Sequence, residues 1–184
     1  MIQTDPFDGV LRDDRLHLQP LEPHHAESLF DGLQNPRLYD FIDDQPPITI
    51  EALRARYVRL ARRRSPDGSE IWLNWAVWSA DDTRFIGYVQ ATVTPDERAV
   101  IAYVLFPDAW GKGYAKAAVT LMMSHLAAIR PNLDFHAYAD VRNRRSIALL
   151  DALGFRRIAV RKDAGTIRGM ASDEAEFSMV RSCP

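Results

Sequence analysis

Three strand-like runs, residues 71–79, 85–93 and 99–106, follow one another with only short turns at Asp81-Asp82 and Pro95-Asp96 between them. Turns this short have no room for a crossover, so the runs are expected to pair as an antiparallel meander. The first two runs are apolar on both faces: Trp72 and Trp78 stand opposite Leu73, Trp75 and Val77. Such strands need cover on both sides of their sheet.

The flanking segments supply that cover. Residues 15–21 alternate Leu16, Leu18 and Leu21 with polar residues, which predicts a strand. Pro23 suits the first turn of a helix that carries Ala26, Leu29, Phe30 and Leu33, and Asn35-Pro36 breaks it. After an irregular stretch to Pro46-Pro47, Thr49 is positioned to cap a second helix. Leu53, Tyr57, Leu60 and Ala61 form its apolar stripe, and its other face is rich in arginine. That basic face is read as solvated, with contact to an acidic partner as the alternative. A third helix over 113–129 puts Ala115, Ala118, Val119, Met122, Leu126 and Ile129 on one side. A strand at 135–141, a helix at 143–153 closed by Gly154, a strand near 156–161, a turn around Ala164-Gly165 and a strand near 174–180 complete the chain. The expected architecture is a single α/β domain over residues 15–184, with a loose lead-in at 1–14. Its mixed, mostly antiparallel sheet would have seven strands and four helices, with one strand–helix–strand crossover late in the chain.

Composition excludes several classes of function. The 184 residues are 47% hydrophobic and 26% charged, and the net charge of −2 gives no general electrostatic grip on nucleic acid. The lone cysteine, Cys183, allows no intrachain disulfide. No apolar run approaches the ~20 residues of a spanning helix, and the charged N-terminal segment does not resemble a signal peptide. A cytoplasmic protein without a membrane segment is expected. The five histidines have no spacing typical of a metal site, and no metal is expected.

The chemistry concentrates where the strand at 99–106 passes through Pro107-Asp108-Ala109 into Gly111-Lys112-Gly113 and directly into a helix. Glycines let backbone approach a ligand, and a helix start offers free N–H groups and a positive dipole end. The joint suits phosphates; the alternative is a plain tight turn. The Walker spacing is absent, and the third glycine of the dinucleotide fingerprint is replaced by Lys116.

The run Ile101-Ala102-Tyr103-Val104-Leu105-Phe106-Pro107-Asp108-Ala109-Trp110-Gly111-Lys112-Gly113-Tyr114-Ala115 resembles the central motif of the GCN5-related N-acetyltransferase (GNAT) superfamily. Trp110 stands where Arg or Gln is commoner, and after Pro-x-x it resembles the branch of ribosomal-protein N-terminal acetyltransferases. The segment from Asn143 through Ser146 to Gly154-Phe155 is similar to the family's second block, and Arg15-Leu16-His17-Leu18-Gln19-Pro20-Leu21 to its first strand. The resemblance implies acetyl-coenzyme A as co-substrate. Backbone groups of Val104 and Leu105 would then bind the pantetheine arm. The amides of Gly111, Lys112, Gly113, Tyr114 and Ala115 would bind the pyrophosphate, and Asn143 the pantetheine region. Asn143 equally suits a helix cap, and the Lys112 side chain is either a phosphate contact or simply solvated.

An amine with an ordinary pKa of about 10.4 must lose a proton before it attacks a thioester, and the departing thiolate needs one. The tyrosine that the family often places one turn beyond Ser146 is Leu150 here. Ser146 is therefore the candidate acid; its alternative is a cap role with Asn143. The branch's glutamate position is Val100, which leaves Glu70, Glu97, His136 and Tyr138 as candidate bases. The family's acceptor groove lies between the first two helices and the central strands. Asp40, Asp43, Asp44 and Glu70, with Trp72 or Trp75 and Trp78, are candidates to line it. The implied activity is acetyl transfer to a primary amine, either a protein N-terminus or a small molecule. A non-catalytic acyl-coenzyme A-binding module is the alternative. The sequence leaves the oligomeric state open, with a dimer among the options.

Overall fold

The computed structural model describes residue 7 and residues 9–179. Within these residues, β1 (Leu11–Arg12), β2 (Leu16–Pro20), α1 (His25–Leu33) and α2 (Ile50–Leu60) precede the meander of β3 (Ile71–Ser79), β4 (Arg84–Val93) and β5 (Arg98–Leu105). Then come α3 (Tyr114–Ile129), β6 (Asp134–Asp140), α4 (Arg144–Ala152), β7 (Arg156–Ile167) and β8 (Met170–Ser178). Short 3-10 turns at Pro36–Tyr39 and Pro107–Ala109 complete the order. The strands form one sheet in the order β1-β2-β3-β4-β5-β6-β8-β7. Every pairing is antiparallel except β5 with β6.

Alternation, interrupted by a register shift of β3 against β4 at Val77/Trp78, divides the sheet's two faces. Leu73, Trp75, Val77, Val89, Ala91, Ile101 and Ala137 point to one side, where Ala118, Val119, Met122 and Leu126 of α3 and Leu150 of α4 close a core. Ala76 points to the other, where Leu29 and Leu33 of α1 and Leu53 and Tyr57 of α2 form a second core. Helices on both faces are what the doubly apolar strands required. Thr49 caps α2 as expected, its hydroxyl accepting from the Ala52 N–H at 3.1 Å. Among the described residues no helix is long and apolar enough to cross a membrane.

Three details differ from the sequence reading. The segment read as a lead-in supplies β1, which pairs with β2 and raises the strand count to eight; a two-residue strand shows no periodicity. The turn of the last hairpin is not at Ala164-Gly165. It lies at Arg168-Gly169, where both residues have positive φ (51° and 78°) and Ile167 pairs with Met170, the two-residue geometry that matches strand twist. Gly165 instead borders an irregularity in the β7–β8 register. Of the tryptophans expected to line the groove, Trp75 is a core residue at 1% exposure, and its ring lies on the face away from α1 and α2. The last strand ends at Ser178; Val180 and Cys183 lie outside the described residues, as do Asp5 and Asp8.

Candidate active site

β5 and β6 separate partway along their length. Their parallel pairing begins at Arg98↔Asp134 and stops at Ile101↔Ala137. Beyond it β5 stays paired only with β4, through Tyr88↔Val104 and Gly87↔Leu105. Gly87 permits this approach, since a Cβ on its backbone (φ +144°) would fall 2.1 Å from the Val104 carbonyl oxygen. Hydrogen-bonding direction alternates along a strand. Phe106 N–H donates to the Ile86 carbonyl of β4, and the Glu97 carbonyl accepts from Asp134 N–H on the β6 side. By that alternation the backbone of Val104 is turned to β4, while the N–H groups of Tyr103 and Leu105 face the gap. The gap opens into a cleft of about 440 Å³.

The glycine turn forms one wall. Gly111 and Gly113 take positive φ (76° and 82°), and Gly113 begins α3 with no side-chain cap. The amides of the first turn of α3 are thus left without a capping oxygen, beside a cleft lined by Gly111, Gly113, Tyr114, Ala115 and Lys116. Tyr114 anchors this start: its hydroxyl donates to Asp81 at 2.9 Å and accepts from Ser79 at 3.2 Å. Lys112 does not line the cleft. Its carbonyl accepts from the Arg15 guanidinium at 3.2 Å, and its ammonium lies 4.0 Å from Asp82.

α4 forms the next wall. The buried Asp140 accepts from the Arg142 N–H at 2.7 Å, the Arg142 guanidinium at 2.6 Å and the Ser172 hydroxyl at 2.6 Å. These bonds, Arg142 first, hold its carboxyl well below the usual carboxylate range and fix the corner that leads into Asn143. The Asn143 oxygen accepts from Ser146 N–H at 3.1 Å, so the residue caps α4. Its NH2 group is left to the cleft, which Asn143 and Ser146 both line. The Ser146 hydroxyl shares a 2.7 Å hydrogen bond with the phenol of Tyr103. Burial pushes that phenol up to about 12 against the opposing Ser146 bond, so it keeps its proton at any ordinary pH. Tyr103 was absent from the sequence candidates. It sits on a different element from Ser146, and only the fold joins them.

Trp110 closes the turn, its indole N–H donating to the Leu105 carbonyl at 2.6 Å. The guanidinium of Arg145 lies 3.9 Å from the indole centroid and that of Arg37 4.9 Å from it. Position 110 lacks the Arg or Gln commoner in the motif, but two guanidinium groups stack on the tryptophan that stands there.

The opposite wall comes from Arg37, Leu38, Phe41 and Ile42 in the α1–α2 connection. The acids lie outside this cleft, and Asp44 lines a smaller pocket between α1, α2 and the central strands, the place expected of the acceptor groove. Asp40 pairs with Arg168 of the β7–β8 turn at 2.8 Å, Asp44 with Arg56 at 2.9 Å, and Glu70 accepts from the Trp72 indole at 2.9 Å. The charged residues that line the cleft are Arg37, Lys116 and Arg145. Of the candidate bases, Glu97 is paired with Arg130 at 3.4 Å away from the cleft, and Tyr138 lines it.

Residues 15–156 match the acetyltransferase (GNAT) domain family. A protein from Bacillus licheniformis described as the uncharacterized N-acetyltransferase p20 is 25% identical over 175 residues, covering 94% of this chain and 96% of that one. Among solved structures, the ribosomal-protein-S5-alanine acetyltransferase of Vibrio fischeri superimposes with a TM-score of 0.82 at 19% identity, over 95% of this chain and 98% of its own. A ribosomal L7/L12 alpha-N-protein acetyltransferase in complex with coenzyme A gives a TM-score of 0.81 at 18% identity, over 92% and 97% of the two chains. At such identities the two structures establish likeness of fold.

Proposed function

The chain belongs to the acetyltransferase (GNAT) family and is an N-acetyltransferase of it; from that premise we propose that it moves the acetyl group of acetyl-coenzyme A to a primary amine by direct attack on the thioester. The acceptor is a protein N-terminus or a small-molecule amine, the setting is cytoplasmic, and residues 15–184 act as one catalytic domain. The observation that carries this reading is the gap between β5 and β6, with free backbone N–H groups along one edge and uncapped helix amides at its end. A cleft of about 440 Å³ with Arg37, Lys116 and Arg145 as its charged lining suits an extended, polyanionic co-substrate.

In this reading the amides of residues 111–115 hold the pyrophosphate, as backbone donors at a helix start do. Val104 and Leu105 flank the pantetheine arm, and Asn143 binds it through its NH2 group while its oxygen caps α4. The Tyr103 N–H, facing the gap, is the donor aimed at the thioester carbonyl, where negative charge develops during attack. Ser146, bonded to the Tyr103 phenol, delivers a proton to the departing thiolate. Acetyl-coenzyme A supplies the activated acetyl group.

A panel of amino-acid, polyamine and N-terminal peptide acceptors, assayed by free-thiol release and by mass of the product, tests the reading. It expects amine-dependent thiol release matched by amide. Tight acetyl-coenzyme A binding with no turnover on any acceptor would point to the non-catalytic module instead.

A further inference from the structure

On the sheet face opposite Tyr103 and Ser146, three strands bring polar side chains into one network. Tyr138 on β6 follows Ala137, the last residue paired with β5, so it stands where the two strands part. Phe135, Ala137 and Ala139 point into the core beneath α3 and α4, and alternation sends His136 and Tyr138 to the α1–α2 side. There the Tyr138 hydroxyl donates to Glu176 Oε1 at 3.2 Å, and Glu176 is held by the Arg98 guanidinium at 2.8 Å. His136 Nδ1 lies 3.4 Å from the same Glu176 oxygen and 3.0 Å from Arg98. Tyr138 lines the cleft, and the His136 side chain keeps 12% of its surface exposed. The other charges facing the network are Arg161 of β7, 5.3 Å from the Tyr138 ring centroid and paired with Glu174 of β8, and Asp96 of the β4–β5 turn, which senses Arg98 and His136.

We propose that Tyr138 is the catalytic residue that takes the proton from the acceptor amine, with Glu176 and His136 carrying it to solvent and Arg98 positioning Glu176. The inference rests on the acetyltransferase reading above. It also explains why the cleft has a phenol on each face: the thiol leaves toward Tyr103 and Ser146, and the amine arrives toward Tyr138. The ammonium gives one proton to the Tyr138 oxygen as the phenol's own proton moves to Glu176 Oε1, then to His136 and water. The free amine forms the N–C bond, and the C–S bond breaks. The thiolate takes its proton from the Ser146–Tyr103 pair, and the second nitrogen proton restores that pair. One proton is released per amide and thiol formed.

The relay matters only while the amine is protonated, so its loss has a pH signature that a structural defect lacks. Tyr138→Phe keeps the ring, and Glu176→Gln keeps the shape. Each is expected to lower kcat/KM for the amine about 100-fold at pH 7, the low end for general-base catalysis, while the gap to wild type closes toward pH 10, where free amine becomes abundant. His136→Gln should fall between them and wild type, and the KM for acetyl-coenzyme A should stay unchanged in all three. A deficit equal at every pH from 6 to 10, or no deficit in either variant, overturns the proposal. A wild-type protein that binds acetyl-coenzyme A without acetylating any amine overturns the acetyltransferase reading together with it, whereas wild-type turnover with unaltered variants overturns the relay alone.

Discussion

The two walls of the cleft are built by different means. The wall that the proposed function gives to the coenzyme, residues 101–116, is one continuous stretch of chain with backbone amides at a glycine turn and a helix start. The wall that the proposed function gives to the acceptor is assembled from side chains of the α1–α2 connection and β6, backed by the ion pairs Asp40–Arg168 and Arg98–Glu176. A backbone site tolerates many side chains and depends on φ and on charge. A side-chain site depends on residues far apart in sequence.

The largest effect is expected at Gly113. Gly113→Asp puts a carboxylate and a Cβ at φ +82° beside the uncapped amides. It should weaken acetyl-coenzyme A binding about 100-fold by calorimetry, the loss of one or two charge-assisted bonds. Unchanged affinity would remove the turn as the anion site. Of similar size, Ser146→Ala and Tyr103→Phe should each lower kcat about 100-fold with little change in the KM for acetyl-coenzyme A. The phenol's pKa, raised to about 12, means the acid is still protonated on the alkaline side, so wild-type kcat should show no fall from its ionisation up to pH 10. A basic limb near pH 8 that vanishes in Tyr103→Phe would contradict this.

Asn143 separates stability from binding. Asn143→Ala removes the α4 cap and should cost about 1 kcal/mol, or roughly 2–4 °C in Tm. Asn143→Ser should restore the Tm without restoring the hydrogen bonds of the lost NH2 group, a difference that calorimetry with acetyl-coenzyme A would detect. The smallest effect is expected on the acceptor side. Arg168→Ala releases the β7–β8 turn from Asp40 and from the Pro36 carbonyl. Such half-exposed pairs contribute about 0–1 kcal/mol, so a rise of about 3-fold in the acceptor KM, with acetyl-coenzyme A affinity untouched, is expected. Equal damage to both substrates would erase the distinction between the walls.

That distinction also explains what could be read from the sequence. The meander, the helix stripes and the turn at 111–113 were legible because each is a local pattern: period two, period 3.6, or glycines before a helix. Gly165 drew the last turn four residues too early because glycine marks irregular strand as well as turns, and the Arg at 168 gave no sign of its positive φ. Tyr103 reads as one more apolar strand residue, and its phenol meets Ser146 only after β5 and α4 pack together. Glu176 lies 38 residues from its partner Tyr138, beyond any spacing that a motif search covers. Sequence shows charge but not pairing: the acids at 40, 44 and 70 each have a partner, and of the three only Asp44 lines the pocket between the first two helices and the central strands.

The most direct test of the account is a crystal structure with coenzyme A bound. It should show the pyrophosphate on the amides of residues 111–115, the pantetheine arm in the gap between β5 and β6, and the sulfur within hydrogen-bond reach of the Ser146 hydroxyl or the Tyr103 phenol. A coenzyme lying outside that gap, or a sulfur turned away from this pair, would contradict it.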